Sequence, residues 1–236
     1  TPDFPTLFGA KFNAALIGKI SVERIFSELM LILHADEKYG IPYAQYNGLK
    51  VLQSTDVLRY ILPELALGDG MPQRADFHDH NVLEHTLRTV KYADRRIRLA
   101  ALLHDVGKPY CYANFGNYHR HEIEGARIAE EILTRLKAPN KVIEDTVALT
   151  RTHMYDLNNQ TKESKIRSFI VENFALYPRI LLFKQADYSG CKDDLLVCPT
   201  VRRWTEIYDK MKAARAPFTL KELNICGKDL VGEIED

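Results

Sequence analysis

The chain has 236 residues, 46% of them hydrophobic and 27% charged, with 12 glycines and 10 prolines, so it holds apolar material for one sizeable core or two small ones and is neither disordered nor collagen-like. Its 32 lysines and arginines balance 32 aspartates and glutamates, which excludes a global basic field of the kind that advertises a nucleic-acid partner. The longest apolar runs, Leu29 to Leu33 and Leu99 to Leu103, reach five residues, far short of the roughly 20 that span a bilayer.

A soluble, cytoplasmic protein is therefore expected. No basic-then-apolar leader opens the chain, and Thr1 is not a methionine, so a trimmed or excised piece of a longer protein is expected, with anything upstream invisible.

In chain order, Ser21 can cap a helix whose Val22, Ile25, Phe26, Leu29 and Leu33 follow one helical stripe. Tyr39-Gly40-Ile41-Pro42 breaks the chain, and a shorter apolar helix ends at Leu62-Pro63. Residues 66–81 form the longest polar loop. Residues 82–94 and 96–106 predict two consecutive helices, the second stopping at Gly107 with Pro109 just after. Residues 107–119, rich in Gly, Asn and Tyr, are expected to be loop.

Ala126, Ala129, Leu133 and Leu136 mark a helix from Glu122 to Leu136, and Pro139-Asn140 leads into the next, which carries Val142, Ile143 and Val147. Ile166, Phe169, Ile170 and Phe174 make a further stripe, and Pro178 starts a helix through about Tyr188. Val201, Trp204, Ile207, Tyr208 and Met211 mark the last long one. No segment alternates with period two. The expected fold class is all-α, with about eight to ten helices whose short connections favour antiparallel neighbours.

Four cysteines, Cys111, Cys191, Cys198 and Cys226, match neither a C-x-x-C redox pair nor a zinc ribbon and are expected to be reduced thiols. A different set carries chemistry: His85, the adjacent pair His104-Asp105, His121, His153 and Asp187, separated by 19, 1, 16, 32 and 34 positions. Apart from the adjacent pair, each falls on or at the end of a different predicted helix, and inward-facing imidazoles and carboxylates from several helices are how bundles build metal sites.

Imidazole nitrogen and carboxylate oxygen without thiolate suit Mn, Fe, Ni, Co, Zn or, with fewer histidines engaged, Mg. Six ligands exceed what one four-coordinate ion needs, so two ions sharing Asp105 account for the set better. His85, His104, Asp105 and Asp187 would hold the first, and Asp105, His121 and His153 the second, leaving room for water and a phosphoryl group. Lys108 either meets a phosphate oxygen as a point charge or serves the dipole of the helix that ends before it. His34, His78 and His80 are expected to be ordinary core or surface histidines.

Ala100-Ala101-Leu102-Leu103-His104-Asp105-Val106-Gly107-Lys108-Pro109 resembles the signature of the HD-domain metal-dependent phosphohydrolases, with His85-Thr86-Leu87 upstream and Asp187 downstream in matching order. His121 and His153 match the extra histidines of HD proteins that hold two ions. Ile20 to Ile25 with Glu28-Leu29, Ile61 to Leu65, His121-Glu122 with Gly125-Ala126, and Ile225 to Leu230 look similar to the C-terminal, HD-containing half of bacterial tRNA nucleotidyltransferases, the CCA-adding enzymes and their poly(A) polymerase relatives. The family's usual Gly-His-Glu is here Arg120-His121-Glu122. Nowhere do the 236 residues show the Gly-Ser or Gly-Gly loop and paired aspartates of a nucleotidyltransferase head, so the chain is not expected to add nucleotides by itself.

The resemblance implies an HD helical bundle at 67–190, flanked by a neck-like helical segment at 1–66 and a helical tail at 191–236. It also implies hydrolysis of a phosphate ester of a nucleotide or RNA end, such as a 2′,3′-cyclic phosphate, with one or two divalent ions and with Asp105 and Lys108 as catalytic groups. The alternative is a non-catalytic tRNA-binding body and tail, using basic clusters at Arg95, Arg96 and Arg98, at Arg135, Lys137 and Lys141, and at Arg202, Arg203, Lys210 and Lys212. A third reading is a di-iron oxygenase on the same six ligands.

Overall fold

The computed structural model describes residues 3–218 and 222, and among them every regular element is helical. The chain opens with α1 (Phe4–Asn13) and a 3₁₀ stretch at Ala14–Lys19. α2 (Val22–Leu33) starts where the Ser21 side chain accepts a hydrogen bond from the Arg24 amide, and it buries Leu29 and Leu33. α3 (Ala35–Tyr39) stops at Gly40, whose φ of 65° is the left-handed conformation of a helix end. α4 (Ala44–Ser54), α5 (Leu58–Ile61) and α6 (Pro63–Ala66) lead into the irregular stretch 67–81.

Beyond it come α7 (Val82–Tyr92), a 3₁₀ turn at Arg95–Ile97, α8 (Arg98–Leu103), α9 (Gly107–Phe115) and α10 (His121–Arg135). α11 (Asn140–Thr152), α12 (Glu163–Glu172), α13 (Tyr177–Lys192) and α14 (Pro199–Ala213) complete the order. All six residues of α8 are buried. An apolar run with no polar face has to be enclosed, and α8 passes through the middle of the molecule against α7, α11 and α13. One connected core extends from Leu29 and Leu33 in α2, through α8, to Trp204 and Met211 in α14.

Two expectations are corrected. Residues 107–119 are not all loop, because a new helix begins at Gly107 and runs to Phe115, and Gly116, at φ 69°, is the left-handed stop. Pro109 falls in the first turn, where a missing N–H needs no partner, so it permits the helix instead of ending one. The helix expected at 96–106 is correspondingly short. The helix count was also low. Among the described residues there are fourteen α-helices, several of only four or five residues, too short to show a stripe, while α1 buries nothing. Ile225 to Leu230 and Cys226 lie outside the described residues. Cys111, Cys191 and Cys198 are free thiols.

One ion pair joins the N-terminal helices to the central one. The buried Arg98 guanidinium donates to both oxygens of Asp36 at 2.6 Å, and to the carbonyls of Leu33 at 2.8 Å and Ala93 at 3.1 Å. Arg98 holds the Asp36 carboxyl below its ordinary range, against the opposing effect of burial. Asp36→Ala leaves a buried guanidinium unpaired and should cost about 3 kcal/mol in urea unfolding at neutral pH. Because Asp36 is depressed in the folded state, the stabilisation is present above the unfolded carboxylate pKa and fades as pH falls through the native one. Parent and Asp36→Ala should therefore converge in stability once pH falls below the depressed native value of Asp36.

Candidate metal centre

The six singled-out residues come together where five helices meet. α8 ends in His104-Asp105, His121 is the first residue of α10, and His153 caps α11. Thr146, Leu149 and Thr150 share the inward stripe of α11 with His153. α7 carries His85, one turn in, and the Thr89 hydroxyl donates to the His85 carbonyl at 3.0 Å. α13 carries Asp187 on the stripe that also buries Ile180, Phe183 and Lys184. The four histidines and Asp105 are buried. Asp187, its side chain 16% exposed, marks the side nearest solvent.

Backbone carbonyls set the tautomers. Nδ1 of His104, His121 and His153 donates to the carbonyls of Ala101, Tyr118 and Thr150 at 2.9, 2.7 and 2.6 Å. A proton held on Nδ1 leaves Nε2 with its lone pair facing inward. Nε2 of His85 and of His104 lie 3.2 Å apart, and Nε2 of His121 and of His153 lie 3.1 Å apart.

The carboxylates complete two sets. Asp105 Oδ2 lies 3.2 Å from His104 Nε2 and 3.5 Å from His85 Nε2, while Asp187 Oδ1 lies 3.0 Å from His85 Nε2 and 3.5 Å from His104 Nε2. Asp105 Oδ1 turns the other way, 3.2 Å from His121 Nε2 and 3.8 Å from His153 Nε2. Ligand atoms of His85, His104 and Asp105, and again of Asp105, His121 and His153, lie within 4.8 Å of one another.

This donor set fits divalent cations. The inward lone pairs of His121 and His153, 3.1 Å apart, repel unless a positive charge lies between them, and the spacing within each set is that of neighbouring ligands on one ion with bonds of about 2.1 Å. Imidazole and carboxylate without thiolate favour a first-row ion.

The charges tell the same story. Although burial pushes the Asp105 and Asp187 carboxyls up, His104 and Lys108 beside Asp105, and His104 and His85 beside Asp187, hold both well below the usual range. Burial pulls the His104 imidazole down, but Asp105 and Asp187 overcome it and raise it above its ordinary range. His153 is lowered by burial and by its neighbours His121 and His104. Protons and cations therefore compete for one negatively charged pocket.

Glycines allow the close approach. A Cβ on Gly107 would lie 2.3 Å from the His121 carbonyl oxygen and 2.5 Å from the Gly125 nitrogen, so α9 and α10 meet backbone to backbone there. That contact puts Asp105 against His121.

Lys108 departs from one of its two expected roles. It lies in the first turn of α9, not at a helix C-terminus, and its ammonium donates to Asp105 Oδ2 and to Gln73 Oε1, both at 2.6 Å. Gln73 had no signal in the sequence. His78 is not an ordinary histidine either. Its ring stands edge-to-face on His85 with centroids 4.6 Å apart, its Nδ1 is buried without a partner, and it forms a third donor group with His85 and Cys191. The stretch 67–81 is fastened over this side by the Asp79 amide donating to the Cys191 carbonyl at 3.1 Å, and by His80 near Asp193, which also takes Arg88 and Tyr92.

The basic clusters are largely spent on ion pairs. Arg98 engages Asp36, Arg96 engages Asp94, Arg135 engages Glu64, and Lys137 engages Glu23. Lys141 pairs with Asp145, and Arg203 donates to the carbonyls of Asn159 and Thr161.

Comparison with known proteins matches residues 82–173 to the HD domain and residues 10–67 to a probable RNA and SrmB-binding site of polymerase A. The chain is 32% identical to the A-adding tRNA nucleotidyltransferase of Deinococcus radiodurans over 182 residues, which cover 72% of this chain and 40% of that protein. It is 34% identical to the CC-adding tRNA nucleotidyltransferase of Thermus thermophilus over 177 residues, covering 70% of this chain and 38% of the relative. For the multifunctional CCA protein of Legionella pneumophila the identity is 29% over 171 residues, covering 66% and 41%. The chain thus spans about 40% of the length of these relatives. No helix among the described residues is long and apolar enough to cross a membrane.

Proposed function

We propose that this chain, which carries an HD domain and is similar to part of the tRNA nucleotidyltransferases, is an RNA-handling body of that kind, and that its buried centre hydrolyses a phosphate ester at a nucleotide or RNA end. The relatives and the RNA-binding match at 10–67 support the first half most directly. The observation that carries the second is Asp105, whose two oxygens face two separate histidine sets.

On this reading His85, His104, Asp105 and Asp187 would hold one divalent ion and Asp105, His121 and His153 a second. Such ions lower the pKa of water towards neutrality and stabilise charge on phosphoryl oxygens. The chain's own groups do the rest. Carbonyl-anchored imidazoles keep the donor geometry fixed. Lys108, held between Asp105 and Gln73, offers an ammonium to a phosphate oxygen.

The test is turnover of 2′,3′-cyclic AMP and bis(p-nitrophenyl) phosphate after chelation and after return of Mn, Co, Ni, Fe, Zn or Mg, with tRNA binding measured alongside across a salt series. Turnover abolished by chelator and restored by an ion is expected. Lys108→Met should then raise KM about tenfold, the worth of one charge-assisted hydrogen bond. Salt-dependent tRNA binding with no turnover on any ion would leave the binding body alone as the function.

A further inference from the structure

α9 leads outward from the centre, and Lys108, Tyr112 and Phe115 recur on it at i, i+4 and i+7, one helical stripe. Its inner end is buried at Lys108, whereas Tyr112 is 53% and Phe115 58% exposed. Tyr118, just past the helix, stands beside this stripe. Its ring centroid lies 5.7 Å from that of Tyr112 and 5.9 Å from the Lys108 ammonium, and its hydroxyl is anchored on the Pro72 carbonyl at 2.7 Å. His119 and Arg120 are exposed on the flank.

Aromatic rings left in water on successive turns call for a partner. Exposed Asn114, Asn117 and His119 flank this stripe, so it is narrower and more polar-edged than the apolar face another protein helix would cover. Flat rings with polar and cationic neighbours match nucleobases, which stack by their faces and leave their edges to hydrogen-bond. Continuity with Lys108 and Asp105 supplies the direction, because a phosphate at Lys108 would set its own base against Tyr118 and Tyr112.

We propose that Tyr112, Phe115 and Tyr118 form a stacking track for the terminal bases of single-stranded RNA, which brings the end phosphate to Lys108. The proposal rests on the reading of the centre as a phosphohydrolase and adds what that reading leaves open, the need for bases beside the reacting phosphate.

The experiment is fluorescence anisotropy of a 5′-labelled tetraribonucleotide binding to the full chain in the presence of chelator, so that binding is read without turnover. An abasic tetramer of equal charge serves as the comparison. Each aromatic removed should weaken tetramer binding about fivefold or more, so Tyr112→Ala/Phe115→Ala should lose about 25-fold, while Tyr112→Phe stays within about twofold of the parent. Both positions are exposed, and circular dichroism verifies that the variants fold. Tetramer binding equal in parent and double variant, or abasic binding as tight as that of the tetramer, would overturn the track. Loss of hydrolysis in the proposed assay would leave this measurement unaffected, so the two readings fail separately.

Discussion

Asp105→Ala is expected to abolish metal binding at both proposed positions and lower phosphoester turnover by on the order of 10³-fold or more. The reason is its position between the two sets, since Oδ2 belongs with His85, His104 and Asp187, and Oδ1 with His121 and His153. No other carboxylate in the cluster faces both ways. Asp187 approaches only His85 and His104, so Asp187→Ala should lose one ion and keep part of the second. Elemental analysis after equilibration with one metal reads this directly, as a drop to none for Asp105→Ala and an intermediate stoichiometry for Asp187→Ala. The same substitution strips a buried negative charge from beside His104 and Lys108, so Asp105→Asn, which keeps the shape, is the check that stoichiometry and not unfolding is being measured. Full metal content in Asp105→Asn would overturn the assignment of Asp105 to both proposed ions.

The convergence of the six residues was legible because these residue types sit at the ends or inner faces of separate predicted helices and match the HD signature in order. Only imidazole and carboxylate side chains make such a set, and an adjacent His104-Asp105 at a helix end has few other uses. The long stripes of α2, α10 and α14 were legible for a similar reason, since apolar residues recur at helical spacing along one face of each and the spacing records it. The neighbourhood of Lys108 was not. Gly107, Pro109, Asn114 and Gly116 each carry a turn preference, and local propensity alone predicts a loop. The helix forms because α9 packs against α10, a tertiary contact with no trace in the spacing. Gln73 and His78 were missed for a related reason. They lie in the irregular stretch 67–81, where no periodicity ties a residue to a face, and their role follows from that stretch being fastened to the α13 end through Asp79, His80 and Asp193.

Gly107→Ala is expected to be far more damaging than the addition of a single methyl group usually is. The added Cβ would lie 2.3 Å from the His121 carbonyl oxygen, 2.5 Å from the Gly125 nitrogen and 2.9 Å from its Cα. These are backbone atoms, which cannot swing aside as a side chain would. Relief requires α9 to move away from α10, and that motion pulls Asp105 from His121 because both helix ends carry the centre. A stability loss of about 3 kcal/mol or more follows from overpacking of this kind, together with weaker metal binding at the proposed Asp105–His121–His153 position. Gly125→Ala faces the same joint from the other side but meets its nearest neighbours at 3.2–3.5 Å, so a shift of a few tenths of an ångström suffices and the cost should be clearly smaller. Urea unfolding with metal titration of the two variants separates the outcomes. A larger loss in Gly107→Ala, with metal affinity falling in the same order, supports the close joint as the device that assembles the centre. Equal and small effects in both would mean that the helix ends have room to spare and that the two sets are held by some other contact.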